Sequence, residues 1–225
     1  MRIVGFGDSF ITQCHNDYPS YTNLISEHYS SEFISHGISG SGSWEAFFQF
    51  EEHFDNQDVV MFAWSNTSRL YHHAVKDICF SGAERNKNSD NPVWQAANMY
   101  YNYLYSAKKS HYELKAFYYW FDDYLSQFKN TKFIHMWGFP ADKINQQYYY
   151  TWAEHEKYDY LHRFKIGMEV RPALIYLSYL DGWPNDLANE TRPNHFTNKM
   201  HRYLADILIK SIDEYENGRD INIVL

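Results

Sequence analysis

Asp58-Val59-Val60-Met61-Phe62-Ala63-Trp64 is apolar at every position after the aspartate. A strand with one wet face alternates apolar and polar residues. An unbroken apolar run of this length is the pattern of a strand buried on both faces, as in a parallel sheet covered by helices on both sides. Upstream, residues 3–6 form a short apolar strand ending in Gly7-Asp8-Ser9, and Asp17-Tyr18-Pro19-Ser20 reads as the start of a helix over 21–29. Residues 32–36 are a second strand, followed by the small-residue loop Gly37-Ile38-Ser39-Gly40-Ser41-Gly42-Ser43. Residues 44–54 show helical spacing, with Phe47, Phe50 and Phe54 on one face. The resulting strand-helix-strand-helix-strand order predicts an α/β fold, a three-layer α/β/α sandwich around a mainly parallel sheet.

Downstream, the polar stretch 81–92 reads as a loop and the best candidate for a mobile segment, with Pro92 opening the next helix. Residues 93–129 are helical in pattern, as two helices broken near Lys108-Lys109-Ser110. Tyr101, Leu104 and Tyr105 share one face there, and Leu114, Phe117, Tyr118 and Phe121 share another. Residues 132–139 form another buried strand. Residues 141–170 are polar and Tyr-rich with no decisive period, 181–186 is turn-rich, and 196–215 is a closing amphipathic helix. The expectation is one domain over 1–225 with a helical insertion at about 80–130.

Composition supports a single core. A chain of 225 residues with 44% hydrophobic residues suits one domain without disulfide staples. Its two cysteines, Cys14 and Cys79, make no metal-binding pattern. Twenty Lys+Arg against 28 Asp+Glu give a net charge of −8, which argues against binding nucleic acid or membrane through a basic surface. There is no run of about 20 apolar residues and no signal-peptide pattern, so the expected setting is cytoplasmic. The unusual feature is 21 Tyr, 16 Phe and 7 Trp at a mean hydropathy of −0.62. Tyrosine is amphipathic, so such a chain can be polar on average and still fill a core.

Several familiar signatures fail. Gly5-Phe6-Gly7 follows a strand, but a dinucleotide fingerprint needs glycine where Phe10 stands. There is no phosphate-cradling GxxxxGK[ST] loop and no GxSxG elbow. His155-Glu156 lacks the second histidine of a zinc-protease helix, since position 159 is Asp159. What remains is Ser9, three residues beyond the first strand, where a parallel sheet binds its ligands. A serine nucleophile needs a base and oxyanion donors. The loops after the second and third strands bring Gly40, whose backbone N–H is accessible, and Asn66, whose amide donates. Pro193-Asn194-His195 precedes the last helix, and the His195 imidazole titrates near neutrality, as a group that takes and returns a proton must.

With Gly7-Asp8-Ser9, Gly37-Ile38-Ser39-Gly40, Asn66 and the run from His195 to His201 in this order, the chain resembles the SGNH (GDSL-type) hydrolases over most of its length. The resemblance implies a flavodoxin-like sandwich, Ser9 as nucleophile and His195 as base. It also implies an oxyanion hole of the Ser9 and Gly40 N–H groups with the Asn66 side chain. The family usually places Asp three residues before the histidine, where this chain has Arg192, and reads Gly-x-Asn-Asp where this chain has Trp64-Ser65-Asn66-Thr67. Glu190, Asp186 or a backbone carbonyl stand as replacements for the missing orienting group.

Each block has a plainer reading alone. Gly-Asp-Ser after a strand is a turn, and a histidine before a helix is a cap or surface residue. His201 reads as a structural helix residue, His72-His73 as solvated surface, and the paired tyrosines as packing. Together the blocks predict a serine esterase acting on small acyl esters, O-acetyl groups on carbohydrate included. No metal or organic cofactor and no nucleic-acid or membrane partner are implied, and oligomeric state is left open. The competing reading, for which Arg192 speaks, is a non-catalytic carbohydrate-binding or structural protein that keeps the fold.

Overall fold

The computed structural model describes residues 1–12, 18–65, 69–75, 78–138, 164–171, 174–180, 196–215 and 221–224. The strands are β1 (Ile3–Gly7), β2 (Phe33–Ser35), β3 (Val59–Trp64), β4 (Lys132–Trp137), β5 (Met168–Arg171) and β6 (Ile221–Val224). They form one sheet in the order β2-β1-β3-β4-β5-β6, and every pairing in it is parallel. The helices are α1 (Tyr21–His28), α2 (Ser43–His53), α3 (Phe80–Arg85), α4 (Pro92–Met99), α5 (Ala107–Leu125), α6 (Leu174–Leu180) and α7 (Asn198–Glu214), with a π-helical turn at Tyr100–Leu104. This is the doubly wound α/β sandwich expected, with the chain reversing direction across the sheet between β1 and β3.

Register sorts the central strands into two unlike faces. Phe6, Phe62 and His135 lie in one row, and Trp64 is beside Trp137. Against this aromatic face pack α2 and α5: Phe50 lies 5.5 Å from Phe62, Phe121 lies 5.3 Å from it, and Tyr118 lies 5.1 Å from Trp64. The opposite rows carry Gly5, Met61 and Ile134, then Gly7, Ala63 and Met136. There α1 and α7 cover the sheet. Lys132 Nζ donates to the Ile212 carbonyl at 2.7 Å, and the Tyr21 N–H of α1 donates to His201 Nδ1 of α7 at 3.0 Å. Rings thus crowd one face of the central strands, and glycine, alanine and aliphatic side chains line the other. Phe62, Trp64, Phe133 and Trp137 are all fully buried.

Local chemistry explains most of the boundaries. Ser20 caps α1 through a reciprocal box with Asn23, and Pro92 occupies the first turn of α4 behind the Asn91 cap. The polar stretch 81–92 is not simply a loop: its first half is α3, capped by Cys79 Sγ accepting from the Gly82 N–H and anchored by buried Gly82 and Ala83. The break between α4 and α5 lies at Tyr105-Ser106, where Ser106 accepts from the Lys109 N–H, so Lys108-Lys109-Ser110 opens α5. The π turn also splits the expected Tyr101, Leu104, Tyr105 face. Its Tyr105 N–H to Tyr100 carbonyl bond inserts an extra residue, leaving Leu104 74% exposed while Tyr101 and Tyr105 pack 5.4 Å apart. The Leu114, Phe117, Tyr118, Phe121 face is buried throughout. The closing helix begins two residues later than expected, and β5, α6 and β6 are additions to the sequence reading.

Candidate active site

β1 ends at Gly7 with φ +137°, and a Cβ there would lie 2.2 Å from the Ala63 carbonyl of β3, so only glycine fits. The chain then turns sharply over residues 8–11. The Asp8 carbonyl accepts from the Ile11 N–H and from Thr12 Oγ1, and Asp8 Oδ1 accepts from the Phe10 N–H at 3.1 Å. Ser9 stands on this turn, half-buried, at the carboxyl edge of the sheet beside the β1/β3 reversal. That edge is where doubly wound sheets hold ligands.

The glycine loop is tied to the same strand end. The Gly7 carbonyl accepts from the Ile38 N–H at 2.8 Å and from Ser41 Oγ at 3.0 Å. Gly40 takes a left-handed φ of +81°, and its N–H donates to none of the described residues. Gly40 thus lies between two residues bonded to the Gly7 carbonyl, and Ser9 follows Gly7 by two residues on its turn. Asn66 and His195 lie outside the described residues, as do Arg192, Glu190 and Asp186. Their neighbours are described. Trp64 and Ser65 lead off β3 at the same edge. Phe196 is fully buried on Phe10 with ring centroids 5.6 Å apart, and its carbonyl accepts from the Tyr18 hydroxyl at 3.0 Å. The residue after His195 is therefore docked on the residue after Ser9. His201 is structural, buried with its Nδ1 on the Tyr21 N–H, and His73 is exposed.

Asp8, which in the sequence reads as part of a turn, is fully buried. Its Oδ2 and the neighbouring Ser65 Oγ each lack a well-formed hydrogen bond, although Ser65 lies close enough to favour the carboxylate slightly. The only sequence signal for this was Gly138 at the end of β4. A Cβ there would lie 2.9 Å from Asp8 Oδ2, so that glycine makes room for the carboxyl. Desolvation raises the Asp8 pKa to about 6 from 3.8, against the lowering pull of Arg69 and of the Phe10 and Ser65 hydrogen bonds. Because the folded value is raised, the native state holds this proton more tightly than the unfolded chain does. Stability is then lost as pH rises from about 4 to 6, and the penalty stays constant above that window. Asp8→Asn keeps the Oδ1 acceptor and gives Ser65 Oγ a donor. Relative to wild type it is expected to gain roughly 2–3 kcal/mol between pH 4 and pH 7 in urea denaturation. A stability difference independent of pH would show that Asp8 ionises normally.

A second buried network stiffens the same edge. His135 accepts from the Trp64 indole at its Nδ1 (3.1 Å), so its Nε2–H donates to the Ile166 carbonyl (3.0 Å), and the ring stacks on Phe164 at 3.6 Å. One bond taken and one given hold it as the neutral Nε2–H tautomer. Trp137 donates to buried Glu169 at 2.8 Å, and Tyr118 shares a 2.6 Å hydrogen bond with Ser43, just beyond the glycine loop. Among the described residues, no group of three or more His, Cys, Asp or Glu is placed to hold a metal ion, and no helix is long and apolar enough to cross a membrane.

No family profile matches the chain, and no curated protein matches it. Solved structures do. A candidate GDSL-like lipase from Parabacteroides merdae is similar at 14% identity and a TM-score of 0.45, over 94% of this chain and 95% of the other. A carbohydrate esterase whose active site displays divergent catalytic and non-catalytic binding functions is similar at 12% identity and a TM-score of 0.45. That match covers 96% of this chain and 69% of the other.

Proposed function

We propose that this chain is a serine esterase of the SGNH type, acting on small acyl esters. The observation that supports this best is that the turn carrying Ser9 and the loop carrying Gly40 are both tied to the end of β1, at the carboxyl edge beside the β1/β3 reversal. In this reading Ser9 Oγ attacks the ester carbonyl while His195 takes its proton. The Ser9 and Gly40 N–H groups and the Asn66 amide receive the charge that develops on the carbonyl oxygen. The tetrahedral species collapses, His195 returns the proton to the departing alcohol, and water releases the acyl group by the same steps. The docking of Phe196 on Phe10 favours His195 as the base, since both neighbours of the proposed pair are held together.

Carbohydrate O-acetyl groups are the proposed substrate class. Trp44, four residues past Gly40, is 41% exposed and stacks with Phe48, which in turn lies 4.8 Å from exposed Tyr71. These rings offer flat apolar faces on the helix that follows the glycine loop, matched to the apolar face of a sugar ring. Arg192, standing where a carboxylate would orient His195, favours a second reading, a carbohydrate-binding protein without turnover. A fluorophosphonate probe separates the two. Covalent labelling of Ser9, located by peptide mass spectrometry and absent in Ser9→Ala, is the expected result; an unlabelled wild type with intact binding of acetylated sugars would favour the second reading.

A further inference from the structure

Residues 69–71, on the segment after β3, each touch a different element. Arg69 faces the glycine loop. Its Nη1 donates to the Ser41 carbonyl at 2.9 Å, and a Cβ on Gly42 would lie 3.2 Å from the Arg69 Cβ and 3.4 Å from its carbonyl oxygen. Leu70 faces the helical insertion. Its N–H donates to the Ile78 carbonyl at 2.8 Å in an antiparallel bridge, and its side chain packs on a cluster of Ile78, Ala83, Ala97 and Tyr101 that is separate from the main core. The Tyr101 hydroxyl donates to the same Ile78 carbonyl at 2.8 Å, so one oxygen joins the insertion to this segment. Tyr71 faces α2, with its ring 4.8 Å from Phe48. On the receiving side Ser41 is buried and engaged at every polar group. Its N–H donates to the Ile38 carbonyl at 3.0 Å, its Oγ donates to the Gly7 carbonyl at 3.0 Å, and its own carbonyl takes Arg69.

We propose that Arg69 is a positioning residue for the oxyanion hole: its guanidinium, steadied by the helical insertion through Leu70, fixes Ser41 and with it the neighbouring Gly40 N–H. This rests on the esterase reading above. An oxyanion donor accelerates the reaction only if it is aimed before charge develops. Gly40 has no side chain to hold it and sits at a left-handed φ of +81°, so its aim depends on the residues on either side. A hydrogen bond from a guanidinium is roughly twice as strong as one between neutral groups, and its planar fork gives the bond a set direction. The insertion then has a task at the site without touching substrate: its small cluster stiffens the chain one residue from Arg69.

The test is steady-state kinetics on p-nitrophenyl acetate and the rate of Ser9 labelling by a fluorophosphonate, for wild type, Arg69→Ala, Arg69→Lys and Tyr101→Phe. Arg69→Ala is expected to lower kcat and the labelling rate together by about 10- to 100-fold, with KM changed less than about twofold. Arg69→Lys keeps a cationic donor without the fork, and its kcat is expected to lie between those of Arg69→Ala and wild type. Tyr101→Phe removes one hydroxyl from the insertion and nothing from the site, and is expected to lower kcat about three- to tenfold. A structural role alone would lower Tm in these variants and leave kcat per folded molecule, measured well below the transition, at the wild-type value. Wild-type kcat in Arg69→Ala, or a loss confined to KM, overturns the proposal while a wild type labelled at Ser9 keeps the esterase reading. Wild-type kcat in Tyr101→Phe overturns the insertion's part in it. A wild type that takes no label at all overturns both readings.

Discussion

Ser9→Ala is expected to lower kcat for p-nitrophenyl acetate by about a thousandfold or more, with KM changed less than about twofold. The substitution removes one oxygen. The turn beneath it is held by the Asp8 carbonyl and carboxyl, through the Ile11 and Phe10 N–H groups and Thr12 Oγ1, and none of these bonds uses the Ser9 side chain. The backbone donors at Ser9 and Gly40 are retained, so the residual rate measures what oxyanion stabilisation contributes without a nucleophile. Steady-state kinetics on purified protein, with far-UV dichroism to show an unchanged fold, make the comparison. Equal kcat in the two proteins would remove Ser9 from the mechanism.

The second large effect is on stability. Gly7→Ala puts a methyl group 2.2 Å from the Ala63 carbonyl and 2.8 Å from the Ala63 nitrogen, and forces alanine to a φ of +137°. Both contacts are to the backbone of a central strand, paired on its other side to β4, which cannot retreat without opening its own ladder. The expected cost is at least about 4 kcal/mol, from strain and overpacking together. In a chain of this size that lowers Tm by roughly 10–15 °C. Gly42→Ala is the matched control. Its new Cβ would meet the Arg69 Cβ at 3.2 Å and the Arg69 carbonyl oxygen at 3.4 Å, far looser contacts than at Gly7, and a smaller loss of about 1–2 kcal/mol is expected. A Gly7→Ala protein that melts with wild type would mean that the strand end is more compliant than its geometry indicates.

The sheet was legible where strands are apolar throughout, because burial on both faces removes the alternation that otherwise confuses strands with helices. β1, β3 and β4 were readable for that reason. β5 was not. Its interior Glu169 reads as solvent-facing until the Trp137 indole is seen donating to it, a contact 32 residues away. α3 was hidden by its cap, a cysteine sulfur in a role that serine or aspartate more often fills, and by a glycine buried inside the helix. The π turn cannot be anticipated from a 3.6-residue period, since its effect is to break that period. At the candidate site, Ser9 and Gly40 were found as motif residues. Asp8 carries no local sign of its burial, because the residue that makes room for its carboxyl, Gly138, lies 130 residues away beyond another strand end.

The pairing of α1 with α7 also bears on how the chain is made. The Tyr21 N–H, at the start of α1, is satisfied by a histidine 180 residues later, and the Tyr29 hydroxyl reaches the Ile209 carbonyl across the same distance. During synthesis from the N-terminus, β1 and β3 can pair once residue 64 has emerged, yet the face of the sheet under α1 and α7 stays half-covered until α7 is complete. Parallel strands joined by long crossovers already fold slowly. The nascent chain therefore carries an open apolar face until α7 has been made, and the turn bearing Ser9 gains the Phe196 ring against Phe10 only after residue 196 has emerged.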